Sequence, residues 1–285
     1  MKVGIDSYCF HRYFGEVYEE QDAPGTSWDM KEDFLGFALD QRVDEVALES
    51  AFFPALDDAY VEELRERLDD AGLDRVLGWG HPDGFKDGTD TEALQDLLAH
   101  IPRARALGAR AMRIVASSRR YEARIENVVA MLEQAVGVAE RHDVTLALEN
   151  HLDFTSDELL RILEAVGSDR LRVNFDTGNA LRLHEDPVAA ARKLAPLTVA
   201  THAKDIVPGD VAGATDRLSL WPSCPVGRGA IDMQAIAQVL LDAGFEGALC
   251  VELDRIAPEW AHLPEEELVE QSVAHLRGLV ASGAR

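Results

Sequence analysis

Four short apolar runs each end in a side chain able to hold a cation or move a proton: Leu146-Ala147-Leu148-Glu149, Val173-Asn174-Phe175-Asp176, Thr198-Val199-Ala200-Thr201-His202 and Leu249-Cys250-Val251-Glu252. Each reads as a strand end. Set side by side in a parallel barrel, their last residues converge at one mouth, and three carboxylates with one imidazole make a site for a divalent cation. A lone Glu or Asp at a strand end is ordinarily a solvated residue or a helix cap. Four in successive strands form a constellation, and three carboxylates buried together need a metal or raised pKa values to offset their repulsion. The chemistry to expect is that of a metal-dependent enzyme.

The elements that must position these residues are legible in the same pattern. Strand-like runs recur at 3–8, 45–49, 76–80, 111–116, 144–149, 171–176, 197–204 and 248–253, eight in all. Between them, Tyr60-Val61-Leu64-Leu68, Leu94-Leu97-Leu98-Ile101 and Val128-Val129-Leu132-Val136 place apolar residues at helical spacing with charges on the other face. Gly72 and Gly244 suit left-handed helix ends, and Thr155 with Glu158 suits an N-cap. No composition break interrupts the alternation, so the expectation is α/β, one (β/α)8 TIM barrel over residues 1–285. A doubly wound open sheet is the main alternative, but no Gly-x-Gly-x-x-Gly follows the first strand, which disfavours dinucleotide binding. Two long connections, 10–28 and 205–229, are expected to carry function.

Composition narrows the partners. The 285 residues are 47% apolar and suit one barrel of ~250 residues. With 28 basic against 52 acidic residues and a net charge of -24, the chain would repel a phosphate backbone, so a nucleic-acid partner is excluded as an expectation. Cys9, Cys224 and Cys250 have no paired spacing, so a disulfide framework is not expected and a reducing cytoplasm is the default. The first ten residues lack the pattern of a signal peptide, and no apolar run approaches the ~18 residues of a membrane span.

In its motifs the chain resembles the xylose isomerase-like barrel superfamily of sugar isomerases and epimerases. The resemblance spans almost the whole chain and is carried by Leu148-Glu149-Asn150, Phe175-Asp176-Thr177-Gly178-Asn179, Thr201-His202-Ala203-Lys204-Asp205, Gly227-Arg228-Gly229-Ala230-Ile231-Asp232 and Val251-Glu252. It implies that Glu149, Asp176, His202 and Glu252 bind one divalent cation, commonly manganese, magnesium or cobalt in relatives. It also implies that Glu149 and Glu252 face each other across the substrate as the acid/base pair, as in the ketose epimerase branch. The implied substrate is a small carbohydrate, a keto sugar or cyclitol. The cation would polarise its carbonyl, and a carboxylate would remove the α proton to give an enediolate. Oligomeric state is not readable in the sequence; relatives often form dimers or tetramers, so the resemblance allows a homo-oligomer.

The chain departs from the family pattern at two positions. Asn179 stands where many relatives have a histidine, and Pro208 where some ketose epimerases have an arginine, so substrate identity does not transfer. Asn179 also breaks the histidine-rich, three-zinc pattern of the abasic-site endonucleases in the superfamily. A lyase, dehydrating a sugar or inosose or cleaving a 3-oxo-glycoside, would use the same residues and is the alternative reading. A non-catalytic sugar-binding subunit is a second alternative.

Other positions are candidates for substrate contact. His81 follows the third strand, and Arg228 sits between two glycines that allow a tight turn towards the mouth. Trp28, with Phe10 and Trp221, lies in a long connection where an aromatic ring can stack on a sugar. His151 could be a plain turn residue. Glu49 ends the second strand as a structural partner at the rim. Lys204 and Asp205 either orient His202 or form an ion pair.

Overall fold

Apolar runs buried on both faces are the mark of parallel strands covered by helices, and they assemble here into a closed ring. The computed structural model describes all residues except 19–20, 82, 118–122, 210–216 and 284–285. Seven parallel strands follow in order: β1 (Lys2–Asp6), β2 (Glu45–Glu49), β3 (Asp74–Gly78), β4 (Ala111–Ile114), β5 (Leu146–Glu149), β6 (Leu171–Asp176) and β7 (Thr198–His202). Two-residue strands β8 (Asp205–Ile206) and β9 (Ser223–Cys224) form an antiparallel ribbon in the connection that follows. The last strand, β10 (Ala248–Val251), pairs with β1 from Lys2↔Ala248 onward. On its other side Val251 bridges Ala203, whose N–H donates to the Cys250 carbonyl at 2.6 Å. That closes a (β/α)8 barrel.

Strand alternation sets what the barrel holds. Ala47, Val76, Ala111, Ala147, Ala200 and Cys250 form a separate buried cluster of small side chains inside the ring. Their neighbours of opposite parity, such as Val46, Leu48, Met112, Leu148 and Leu249, join the larger core under the helices. Two residues beyond five of the small ones stand Glu49, Arg113, Glu149, His202 and Glu252, on the same face and at the carboxyl end of the barrel. The polar mouth thus rests on a plug of small side chains.

The helices include α1 (Leu35–Asp40), α7 (Pro187–Leu194) and α8 (Arg217–Leu220), and the expected apolar faces of the longer ones are turned inward, with Tyr60, Leu98 and Val129 half-buried at their edges. In α2 (Asp58–Ala71) the buried residues of this face are Val61, Leu64 and Leu68, in α3 (Thr91–Leu107) Leu94, Leu97 and Ile101, and in α4 (Ile125–His142) Val128, Leu132 and Val136. Gly72 caps α2 at φ 66°, and Thr155 and Glu158 form a reciprocal capping box at the start of α5 (Ser156–Val166). Strand boundaries differ from the expectation where a polar side chain turns the chain. β1 stops at Asp6, not residue 8, because the Asp6 carboxylate accepts the Tyr8 N–H at 2.8 Å and starts a 3-10 turn, Ser7–Phe10. β7 stops at His202, because the Lys204 N–H donates to the Thr177 hydroxyl instead of a strand.

Candidate active site

Asp176 caps α6 (Thr177–Arg182): its Oδ1 accepts the N–H groups of Gly178 at 2.8 Å and Asn179 at 2.9 Å. The Asn150 side chain brackets the Asp176 peptide, donating to its carbonyl at 2.8 Å and accepting its N–H at 2.7 Å. One carboxylate oxygen is therefore committed to the backbone, and Oδ2 is left for the mouth of the barrel. His202 Nδ1 lies 3.8 Å from Asp176 Oδ2, 3.8 Å from Glu149 Oε1 and 3.0 Å from Glu252 Oε2. Four residues read from sequence as one constellation thus converge on one place, and all four are buried.

The arrangement fits a metal ion. Asp176 Oδ2, Glu252 Oε2 and His202 Nδ1 are buried and make ion-pair contacts but no hydrogen bond of proper geometry, so a bound cation would complete their coordination. Glu149, Asp176 and His202 form one group able to hold a cation, and Asp6, His202 and Glu252 form a second, overlapping group. A mixture of carboxylate oxygens with one imidazole suits divalent ions of the manganese, magnesium, cobalt or zinc kind. Asp6 was not anticipated. Its Oδ2 lies 3.2 Å from His202 Nε2, where it can fix the ring so that Nδ1 faces the carboxylates.

Protein cations also offset the carboxylates, a solution the charge argument from sequence left out. Arg113 on β4 donates from Nε to Glu149 Oε2 at 2.6 Å and from Nη1 to Glu49 Oε1 at 3.1 Å. Lys204 Nζ lies 3.0 Å from Asp176 Oδ2, 2.8 Å from Glu252 Oε2 and 3.1 Å from Asp254 Oδ2. It forms an ion pair with these carboxylates and leaves His202 to Asp6. Arg182 makes two bonds to Asp254, at 2.6 and 2.9 Å, and donates to Asn179 Oδ1 at 3.3 Å. Asp205 stands apart from this network. It accepts the N–H groups of Gly227, Gly229 and Ile231 and so ties the ribbon to the next helix, α9 (Met233–Asp242).

These contacts push the carboxyl groups apart in acidity. Burial raises the Glu149 pKa, but Arg113 and His202 outweigh it and hold the group well below the ordinary carboxylate range. Burial is likewise outweighed at Glu252 by His202 and Lys204, so that group also lies below its usual value. Burial prevails at Asp176, pushed up to about 6 against Lys204, and at Glu49, pushed up to about 7 against Arg113. The carboxyl groups poised nearest neutrality are therefore Glu49 and Asp176, and not the expected acid/base pair.

Above the cluster opens a pocket of about 590 Å³ lined by residues that include Glu49, His81, Arg113, Glu149, His151, Asn179, Arg182, Lys204, Glu252 and Asp254. Tyr8, Tyr18 and Phe52 also line it, and the two phenols meet at 2.6 Å. His81 is in place, stacked on Trp79 with ring centroids 4.9 Å apart. Asn179 is in place too, donating to Glu149 Oε1 at 3.1 Å. Burial lowers the His151 pKa, which favours a neutral imidazole in the pocket wall.

Two expected substrate contacts are not in this pocket. Trp28 packs on Phe10, Tyr13 and Phe37, with centroids 4.4, 4.9 and 6.0 Å away, so it closes the long connection over the core. Arg228 is exposed, because Asp205 pins the glycine amides on both sides of it. Conversely, Arg113, Arg182 and Asp254 were missed. Each carried a signal: an arginine inside the apolar run Ala111-Met112-Arg113-Ile114, an arginine one helical turn after Asn179, and an aspartate two residues, hence one strand-face repeat, after Glu252.

A closed parallel barrel with a carboxylate and imidazole cluster at its carboxyl end defines a class of proteins able to hold a cation beneath a pocket. The chain belongs to the xylose isomerase-like TIM barrel family, whose model matches residues 35–279. It is 26% identical over 186 residues to a 3-oxo-isoapionate decarboxylase of Pectobacterium atrosepticum, covering 65% of this chain and 63% of the relative. It is 29% identical over 225 residues to the rhizopine catabolism protein MocC of Rhizobium meliloti, covering 70% and 68%. The chain thus spans about two thirds of the length of these curated relatives. A xylose isomerase domain protein from Planctomyces limnophilus shares the fold with a TM-score of 0.73 at 19% identity, covering 97% of this chain and 95% of the other. An L-ribulose 3-epimerase structure gives 0.71 at 20% identity, covering 100% and 95%. The IOLI protein, solved with a zinc atom, gives 0.73 at 17%, covering 99% of each chain. Among the described residues, no helix is long and apolar enough to cross a membrane.

Proposed function

We propose that this protein is a divalent-metal-dependent enzyme that moves the proton beside the carbonyl of a keto sugar or cyclitol, as an isomerase or epimerase. The observation that carries the reading is the convergence of Glu149, Asp176, His202 and Glu252 under the pocket, with their ligand atoms close enough together to hold one ion. These four residues would hold the ion, manganese, magnesium or cobalt by analogy with the family. Bound there, it would supply Lewis-acid polarisation of the substrate carbonyl.

The chain's own residues do the rest. Glu149 and Glu252 are the acid/base pair, one removing the α proton while the other returns one, which permits inversion if they face opposite sides of the substrate. Arg113 keeps Glu149 ionised, the form in which a carboxylate can act as a base. Asn179 holds Glu149 Oε1 in place, and His81 and His151 line the wall where substrate hydroxyls would bind. Tyr8 and Phe52, whose rings stack 6.0 Å apart, offer an apolar surface to a sugar ring.

A second reading is favoured by the decarboxylase relative: the same proton or carboxylate loss beside a ketone, followed by a different fate, makes a lyase. One experiment addresses both. Manganese-loaded protein is incubated in D2O with ketoses, inososes and 3-oxo-glycosides, and products are read by mass spectrometry. The expected result is deuterium beside the carbonyl, lost in Glu149→Gln, with an epimer or isomer accumulating. An eliminated or decarboxylated product supports the lyase. No exchange and no product, with metal bound, refutes both.

A further inference from the structure

The chain contains five lysines, and Lys204 is buried among the carboxylates of the site. Its stem passes close to Gly178: a Cβ there would lie 3.1 and 3.2 Å from Lys204 Cγ and Cδ. The missing side chain lets the lysine stem lie across the start of α6 and deliver Nζ to Asp176 Oδ2 and Glu252 Oε2. Those are two of the atoms left without a proper hydrogen bond, and the same two that a cation held by Asp176 and Glu252 would take.

The two buried guanidinium groups of the pocket have other partners. Arg113 is engaged by Glu49 and Glu149, and Arg182 by Asp254, Asn179 and the Trp221 carbonyl. Lys204 has an alternative anchor in Asp254, 3.1 Å away and outside the proposed ligand set. An ammonium on a flexible stem can shift between carboxylates, whereas a forked guanidinium bound on two sides cannot.

We propose that Lys204 and the divalent ion are alternative counter-ions for the Asp176–Glu252 carboxylate pair, so that the ammonium sets the affinity and exchangeability of the metal. In the metal-free protein the ammonium holds the two carboxylates together. When metal enters, it withdraws towards Asp254. The proposal rests on the functional reading only in placing the metal at these four residues.

The test is Mn2+ binding to the full chain, followed by electron paramagnetic resonance of the free ion, with melting temperatures in chelator and in Mn2+. Lys204→Met should bind Mn2+ at least about tenfold more tightly than the wild type, since a positive charge beside the ion has gone. Its melting temperature should fall in chelator and recover with Mn2+, which also shows that the variant folds. Lys204→Arg, which keeps the charge on a group less able to shift between carboxylates, should bind Mn2+ no more tightly than the wild type. Equal or weaker Mn2+ binding by a folded Lys204→Met overturns the proposal, because a purely structural lysine would weaken the site when removed. A wild-type protein that takes up no Mn2+ overturns the functional reading itself, a separate result.

Discussion

Arg113 is the sharpest place to perturb the site without touching a proposed metal ligand. Its guanidinium serves two buried carboxylates, Glu49 and Glu149, whose side chains are 6% and 0% exposed. Replacing it by methionine keeps much of the packing volume but leaves both carboxylates without their cation. Breaking a buried pair by removing one partner costs about 3–5 kcal/mol, and because one cation serves both groups the two losses do not add. At the roughly 2 °C per kcal/mol of a large domain, the melting temperature should fall by about 6–10 °C at pH 8 in chelator.

The pH dependence follows from the direction of each shift. Arg113 holds Glu149 below its unfolded pKa, so the stabilisation it gives is present above that pKa, about 4.3, and is lost as pH falls through the folded value. In Arg113→Met burial is no longer opposed by the guanidinium, so both carboxyls titrate higher than in the wild type and the variant loses stability relative to it as pH rises from about 5 to 8. The gap between wild type and variant should therefore be wide at pH 8 and narrow at pH 5. Scanning fluorimetry at both values reads it. A loss under about 2 °C, or an equal loss at the two pH values, would refute the view that Arg113 is the counter-ion of the Glu149 side of the site.

Asp6→Asn should loosen the His202 ring and lower Mn2+ affinity by about 10–100-fold, measured calorimetrically; an unchanged affinity would remove Asp6 from the site. Trp28→Ala should cost roughly 2 kcal/mol by denaturant unfolding, less than the 3–5 of a fully buried aromatic, with no change in kcat/KM once a substrate is found. A drop in kcat/KM at equal stability would instead return Trp28 to the substrate side.

Glu149, Asp176, His202 and Glu252 were legible because strand chemistry is local. An apolar run ending in a polar residue marks a barrel strand and its rim together, and a parallel barrel brings such ends to one mouth whatever the details of packing. The helices were legible for the same reason, since the 3.6-residue period and the caps at Gly72 and Thr155 depend on near neighbours. Trp28 and Arg228 were misplaced because local sequence says that a residue lies in a loop but not which way the loop turns. That depended on contacts distant in the chain: the Phe37 ring against Trp28, and the Asp205 carboxylate on the amides of Gly227 and Gly229.

By itself, then, the sequence determined the alternation of strands and helices, the barrel and the identity of the four converging residues. The tertiary structure alone decided how their charge is balanced. Arg113 meets Glu49 across 64 positions and Glu149 across 36, Asp254 meets Arg182 across 72, and Asp6 in the first strand meets His202 in the seventh. Burial and pairing set the acidity of each carboxyl, and both are properties of the assembled barrel mouth, with no counterpart in any local run of residues.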